Sequence, residues 1–359
     1  MLGRPSIRRR SRRVRWTARI AIFATALLCA PVAAPQADGA AADPSGAPRA
    51  YLETIRPSAE LQAFVNVTME ELLAGDASLR RQKVRVALID IPAQGPPRLA
   101  GWHGDSPVYP ASVIKFVYLM AAYEWRDRGL LTIDADLDRE LRAMIVVSSN
   151  TATQQVVRRL TDTTAGPRLS PDEYAVFRKR RLRVKEWLHE LGVDELHAVH
   201  PTYDGGGDIH GRDQQFLEDE SVPGSLPYEG GPFHNRLAMT ADATAKLLAL
   251  LATDRALAPA TAAEVRERMR RDVRKQGYLA KRIAGGADLR ADLAVFSKTG
   301  TWGPIFADAG IVRHASGRQL AIAAFVEGKP AYRGPFIAQL TRAAVAHLLP
   351  PPGDPEQAK

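Results

Sequence analysis

The chain has 359 residues, 45% of them hydrophobic and 25% charged, a balance that excludes an intrinsically disordered protein and leaves room for one large core or two lobes. Its formal charge is +9, yet residues 1–40 hold eight arginines and one aspartate and so carry +7 of it. The body is close to neutral, which argues against a basic groove for nucleic acid.

In chain order, residues 1–40 read as an export signal: arginines from Arg4 to Arg19, an apolar run from Ile20 to Ala34, then small residues through Ala37-Asp38-Gly39-Ala40. Ser11-Arg12-Arg13-Val14-Arg15-Trp16 also fits a twin-arginine signal, and both export routes share this layout. The apolar run is shorter than the roughly 20 residues of a transmembrane helix. The expectation is cleavage near Ala40 and a secreted or cell-envelope protein with no stable membrane insertion afterwards. The single cysteine, Cys29, lies inside this signal, so the mature chain has no disulfide and no thiol nucleophile. Leu28 before it is bulky where a lipidation signal has a small residue, which disfavours an anchor at Cys29.

Residues 41–50 are rich in Ala, Pro, Gly and Ser and read as a linker, 51–350 as the folded domain and 351–359 as a tail. Leu61, Phe64, Val65, Met69, Leu72 and Leu73 recur at helical spacing and predict a helix between Pro57 and Ala74. Val84 to Ile91, a turn at Pro92 to Pro97 and Leu99 to Trp102 predict a hairpin. Helices follow from Ala111 to Arg128, up to Val147, from Asn150 to Leu160 and from Pro171 to Leu191. His200 to Asn235 is a long passage rich in Gly, Asp and His. Helices at Met239 to Ala252 and at the basic stretch Thr261 to Arg274 precede three strand-like runs, Leu293 to Thr301, Ala307 to Arg313 and Gln319 to Val326, and Phe336 to Leu349 closes as a helix. Strands at both ends with helices between them predict an α/β (α+β) fold: one antiparallel sheet flanked by helices, with an all-helical lobe inserted. No internal repeat is visible.

Three short words stand out. Ser112-Val113-Ile114-Lys115 sets a hydroxyl and an amine three residues apart, on one side of a helix's first turn, where unpaired N–H groups favour a negative oxygen. It is the only Ser-x-x-Lys in the chain, and Lys115 is the one charge between Pro107 and Ala122. Burial and a second cation nearby would lower its pKa and let it take a proton. The plain alternative is a helix-capping serine and a surface lysine. Ser148-Ser149-Asn150 sits where a loop becomes a helix, and a simple N-cap is the competing reading. Lys298-Thr299-Gly300-Thr301 puts a cation and two hydroxyls on a strand where glycine permits close approach. Lys275-Gln276-Gly277 has the same Lys-x-Gly form but lacks a strand pattern around it.

In this order the three words resemble the penicillin-recognising serine hydrolases, and specifically their class A β-lactamase branch. The resemblance spans roughly residues 50 to 350. It implies an α/β lobe and an all-α lobe with the site between them. By match, Ser112 is the nucleophile, Lys115 the general base, and Ser148 the proton relay. Asn150 binds the substrate amide and holds the lysine, Lys298 and Thr299 bind the substrate carboxylate, and the N–H of Thr301, after Gly300, completes an oxyanion hole. The substrate implied is a small β-lactam or a cell-wall peptide, acted on by a monomer without cofactor or metal.

The resemblance fails in places. Class A enzymes use a loop glutamate to activate the water that frees the acyl-enzyme; the matching segment here, Val199 to Asp204, has His200 at that position. A histidine can serve as a base near neutral pH, although a loop histidine is more often only solvated. Glu218, Glu220 and Glu229 lie further along the same passage. Ser149 stands where class A carries aspartate, a word closer to the penicillin-binding peptidases. Ser112 and Ser148 are only 36 residues apart, which predicts a trimmed helical lobe. Asp134, Asp136 and Asp138 lack the glycine and glutamate of a calcium loop and read as a solvated turn or a helix start, and His197 and His200 have no third partner. A β-lactam hydrolase is therefore the leading expectation, with a D,D-peptidase and a non-catalytic binder as rivals.

Overall fold

The protein is described by a computed structural model covering residues 46–205, 208–224, 235–272, 277–288 and 290–351. Residues 1–45, with the expected export signal and Cys29, lie outside the described residues, as do Glu229, Lys275, Gln276 and the tail from residue 352.

Helix α1 (Gly46–Thr54) and a two-residue strand β1 (Arg56–Pro57) lead to α2 (Ala59–Gly75), α3 (Ala77–Arg80), β2 (Lys83–Ile91) and β3 (Arg98–Trp102). A 3₁₀ turn, Ala111–Ile114, runs into α4 (Lys115–Asp127), followed by α5 (Ala135–Val146), α6 (Asn150–Thr161), α7 (Pro171–Arg181), α8 (Arg183–Leu191), α9 (Gly211–Glu218), α10 (Ala241–Ala252) and α11 (Pro259–Met269). Then come β4 (Arg270–Arg271), a 3₁₀ turn (Tyr278–Lys281), α12 (Ile283–Gly286), β5 (Leu293–Trp302), β6 (Ile305–His314), β7 (Gln319–Glu327) and α13 (Phe336–Leu348).

The strands form one sheet in the order β1-β3-β2-β7-β6-β5-β4, antiparallel throughout except where β1 runs parallel to β3. The two ends of the domain meet at β2 and β7, paired from Lys83 with Glu327 to Ile91 with Gln319. Alternate residues of β2 enter different cores, as the two-residue period of a strand demands. Val84, Val86 and Leu88 join Leu61 and Val65 of α2 and Ile337 and Leu340 of α13. Ala87, Ile89 and Ile91 join Phe116 and Leu119 of α4 and Leu247 and Leu250 of α10. With both faces covered, β2 is buried at all but its first residue, which is why Val84 to Ile91 reads as a continuous apolar run.

The expected layout holds, with four local differences. Residues 46–50, read as linker, belong to α1, whose Tyr51 and Leu52 pack on the larger core and whose Arg49 donates to Glu190 O at 3.2 Å; tertiary contact overrides a Gly- and Pro-containing start. The helix expected from Pro171 to Leu191 is two, separated at Leu182, and Arg181 at the end of the first turns inward to Asp213. Asp213 lies on α9, a helix the glycine-rich reading of 200–235 passed over. The basic helix ends at Met269, because Arg270 and Arg271 pair with Phe296 and Val295 of β5 as an edge strand. Asp134 caps α5 by accepting from Leu137 N–H at 2.8 Å, which makes the acidic stretch a helix start, the second of its two readings, with a cap worth about 1 kcal/mol.

Candidate active site

Lys115 begins α4 fully buried among apolar side chains, where an amine must find acceptors. Its Nζ donates to Ser148 O at 2.6 Å and Asn150 Oδ1 at 2.6 Å, with Ser148 Oγ at 3.5 Å. From β5, the equally buried Lys298 Nζ lies 2.9 Å from Ser148 Oγ and 2.9 Å from Thr299 O. The three sequence words therefore converge, but the alcohol between the two amines is Ser148. Ser112, the nucleophile expected to give its proton to Lys115, does not stand between them. Carbonyl and amide oxygens satisfy the buried Lys115 better than a second hydroxyl does, and Ser112 Oγ, half-buried, is hydrogen-bonded to neither lysine.

The backbone is held in costly shapes at both serine segments. Ala111, immediately before Ser112, has φ +47° and Ser148 has φ +61°. A non-glycine residue there costs on the order of 1–3 kcal/mol, and such residues cluster at functional sites. Gly300 brings β5 against the Ser112 turn: a Cβ on it would stand 2.8 Å from Pro110 O and 3.2 Å from Val113 N. The Ser148 word satisfies both of its readings. Ser149 caps α6 by accepting from Ala152 N–H at 3.1 Å, while Ser148 and Asn150 on either side of it face Lys115.

Burial is the first cause of the low pKa of Lys115, brought from 10.5 to about 7, and Asp204 opposes the fall. The difference disfavours the ammonium by roughly 5 kcal/mol and leaves a substantial neutral fraction at pH 7. A neutral amine has two N–H donors, here engaged by Ser148 O and Asn150 Oδ1, and a lone pair free to accept a hydroxyl proton. Lys298 is pushed well below its ordinary value, by burial first and then by the charges of Lys115 and Arg271.

Asn150 is gripped from the loop before α9. Thr202 Oγ1 donates to its Oδ1 at 2.8 Å and its Nδ2 donates to Tyr203 O at 3.1 Å, which leaves one amide N–H without a partner among the described residues. His200 opens that loop but does not reach the lysines. Its ring is buried and stacked on Tyr203 at 5.6 Å, Nδ1 donates to Pro201 O at 2.7 Å, and Nε2 accepts from Arg236 N–H at 3.2 Å. Burial lowers its pKa to about 4, so it is neutral at physiological pH. With both nitrogens committed, the ring orders the loop and has no lone pair left for water, contrary to its expected role as a base. Glu218 pairs with Arg168 on the surface and Glu220 is exposed, so neither folds back.

Sequence reading missed four residues that the fold adds. Asp204 is exposed, accepts from Thr151 Oγ1, and is the carboxylate that acts on Lys115. Arg282, buried over the Phe306 ring at 3.6 Å, donates to Thr301 Oγ1 at 2.6 Å. Arg271 donates to Ser297 O at 2.9 Å, and Tyr278 OH lies 3.2 Å from Thr299 Oγ1. Only Asp204, the last residue of the Val199 to Asp204 segment, carried a positional signal; the other three belong to no motif. Cations thus crowd the Lys298-Thr299-Gly300-Thr301 edge, a setting for an anionic group. Among the described residues no group of three or more His, Cys, Asp or Glu is placed to hold a metal ion, and no helix is long and apolar enough to cross a membrane.

A sheet built by both ends of the domain, helices over both of its faces and a Ser/Lys/Ser/Asn/Lys cluster define a β-lactamase and transpeptidase-like protein. The sequence profile of the Beta-lactamase enzyme family matches residues 136–348, and the chain belongs to that family. The matched stretch begins after Lys115, so the first word is joined to the others by the hydrogen bonds above. No curated protein matches the chain. Among solved structures it is similar to a β-lactamase from Sphaerobacter thermophilus, with 18% identity, 80% of this chain and 99% of that one covered, and a TM-score of 0.56. It is also similar to PBP-A (18%, 81% and 97%, 0.53), solved in one variant as an acyl-enzyme complex with penicillin G. An ancestral class A β-lactamase of Gram-negative bacteria gives 20%, 77%, 97% and 0.54.

Proposed function

We propose that the protein is an exported serine hydrolase that opens β-lactam rings through an acyl-enzyme on Ser112. The observation that carries the reading is the chain of contacts from Lys298 Nζ to Ser148 Oγ at 2.9 Å and from Ser148 and Asn150 to Lys115, with β5 seated on the Ser112 turn at Gly300. Neutral Lys115 takes the Ser112 hydroxyl proton as Oγ bonds to the ring carbonyl carbon, and the backbone N–H groups of Ser112 and Thr301 receive the negative charge on the carbonyl oxygen. The ring C–N bond then breaks, its nitrogen takes a proton from Ser148 Oγ, and the Lys115 ammonium restores that proton. Lys298 and Thr299, with Arg282 behind Thr301, hold the substrate carboxylate, and the unpaired N–H of Asn150 meets the substrate amide.

One observation favours a second reading, a D,D-peptidase acting on cell-wall peptides: His200 replaces an acid and both its nitrogens are committed, so hydrolytic release lacks the class A base. Intact mass of the mature protein over time after mixing with a penicillin, alongside hydrolysis of a chromogenic cephalosporin, separates the readings. Labelling with rapid release supports the lactamase, a lasting adduct supports the peptidase, and no labelling leaves a non-catalytic binder. Export rests on the first forty residues and is tested by N-terminal sequencing of envelope and medium fractions; a protein retained in the cytosol with Met1 intact contradicts it. The steps above call on groups of one chain only, so the proposed reaction asks for no second copy.

A further inference from the structure

Exposed large hydrophobic side chains are few in the described residues, and more than half of them adjoin residues of this site. Of the seven, Val146 and Val147 (54% and 73% exposed) directly precede Ser148, Trp302 (40%) directly follows Thr301, and Tyr278 (58%) hydrogen-bonds Thr299. Such clustering marks a binding surface, whereas single exposed apolar residues do not. The strand period puts Lys298, Gly300 and Trp302 on one face of β5, the face that Gly300 presses against Pro110 and Val113. Three residues before Ser112, Tyr109 meets Trp302 edge-on, with ring centroids 5.5 Å apart and planes at 85°. From Lys298 to Trp302 is four residues of strand, about 13 Å at roughly 3.3 Å each. The cleft is therefore cationic at one end and aromatic at the other, with Ser112 beside it.

We propose that Tyr109 and Trp302 form a subsite for a flat apolar acyl group carried on the substrate's amide nitrogen, so that the protein prefers β-lactams with aryl side chains. The inference rests on the acyl-enzyme reading above. A ligand whose carboxylate lies at Lys298, Thr299 and Arg282 and whose amide lies near Thr301 and Asn150 extends along β5 with its acyl substituent directed at Trp302. An indole braced by a tyrosine edge offers such a group a rigid, amphipathic wall.

The test compares second-order rate constants for covalent labelling by benzylpenicillin and by 6-aminopenicillanic acid, which has the same nucleus and carboxylate but a free amine in place of the phenylacetyl group. The wild type is expected to favour benzylpenicillin by about 10-fold or more, and Trp302→Ala to reduce that ratio by most of its value while Trp302→Phe keeps it. A wild-type ratio near one, or a ratio that Trp302→Ala leaves intact because both rates change together, overturns the subsite. Failure of both compounds to label overturns the acyl-enzyme reading and the inference with it.

Discussion

Lys298 and Ser148, separated by 150 residues of chain, are in hydrogen-bond contact at 2.9 Å, and the same hydroxyl lies 3.5 Å from Lys115. A single alcohol thus joins two buried amines, one on the strand and one at the start of α4. In the proposed reaction it is the only link by which a proton taken from Ser112 reaches the departing nitrogen. Replacing Ser148 by Ala is expected to slow acylation by about 100-fold or more while the protein stays folded, since the hydroxyl is half-buried and removal leaves no large cavity. Stopped-flow measurement of adduct formation checks it, and an unchanged rate removes Ser148 from the path.

The pH dependence follows from Lys115. The reaction needs its amine, so acylation rises with pH through about 7. Asp204 raises this pKa, and Asp204→Asn is therefore expected to move the limb to lower pH. Stability carries the matching sign. Between pH 7 and roughly 10.4 the unfolded chain binds a proton that the folded chain does not, so this lysine's contribution makes the fold more stable as pH rises across that window. Rate constants for adduct formation from pH 5.5 to 9 in both proteins check the limb and its shift.

His200 gives a prediction of opposite form. Because it is neutral down to about pH 4 and both nitrogens are bonded within the protein, release of the penicillin adduct is expected to show no inflection near 6.5. Adduct lifetime measured by mass between pH 5 and 8 decides the point; a limb near 6.5 that vanishes in His200→Gln returns the histidine to the mechanism.

The loop that grips Asn150 is itself anchored by a buried ion pair. Arg181 donates to Asp213 Oδ1 at 2.6 Å with both side chains out of solvent, and Tyr203 OH reaches the same oxygen at 3.3 Å. Asp213→Ala leaves the guanidinium buried and unpaired, at a cost of about 3–5 kcal/mol in unfolding free energy. Denaturant titration with an unchanged slope and a lower midpoint is the expected result. A midpoint like that of the wild type means that water has entered and solvated Arg181.

The sheet and the helical layer were legible in sequence because their signals are local. The apolar run at Val84 to Ile91, the three strand-like runs from Leu293 onward and the periodicity of Met239 to Ala252 each state their own element. The three motif words were legible for the same reason. What sequence did not show is decided by tertiary partners: α1 folds because Tyr51 and Leu52 find the core, and the helix from Pro171 breaks where Arg181 turns toward Asp213. Arg270 and Arg271 leave a helical pattern to pair with β5. Within the site, the choice of Ser148 over Ser112 as the bridging alcohol depends on which acceptors a buried amine can reach. Arg282 entered the site through a single hydrogen bond to Thr301, which no spacing rule encodes.

The most direct test of the account is intact-mass analysis of the wild type and of Ser112→Ala after mixing with benzylpenicillin, followed by peptide mapping. The account predicts one added penicilloyl mass on the wild type, located on the peptide that contains Ser112, and none on the variant. A wild type that never gains this mass, or an adduct that persists in Ser112→Ala and maps to Ser148, would contradict it.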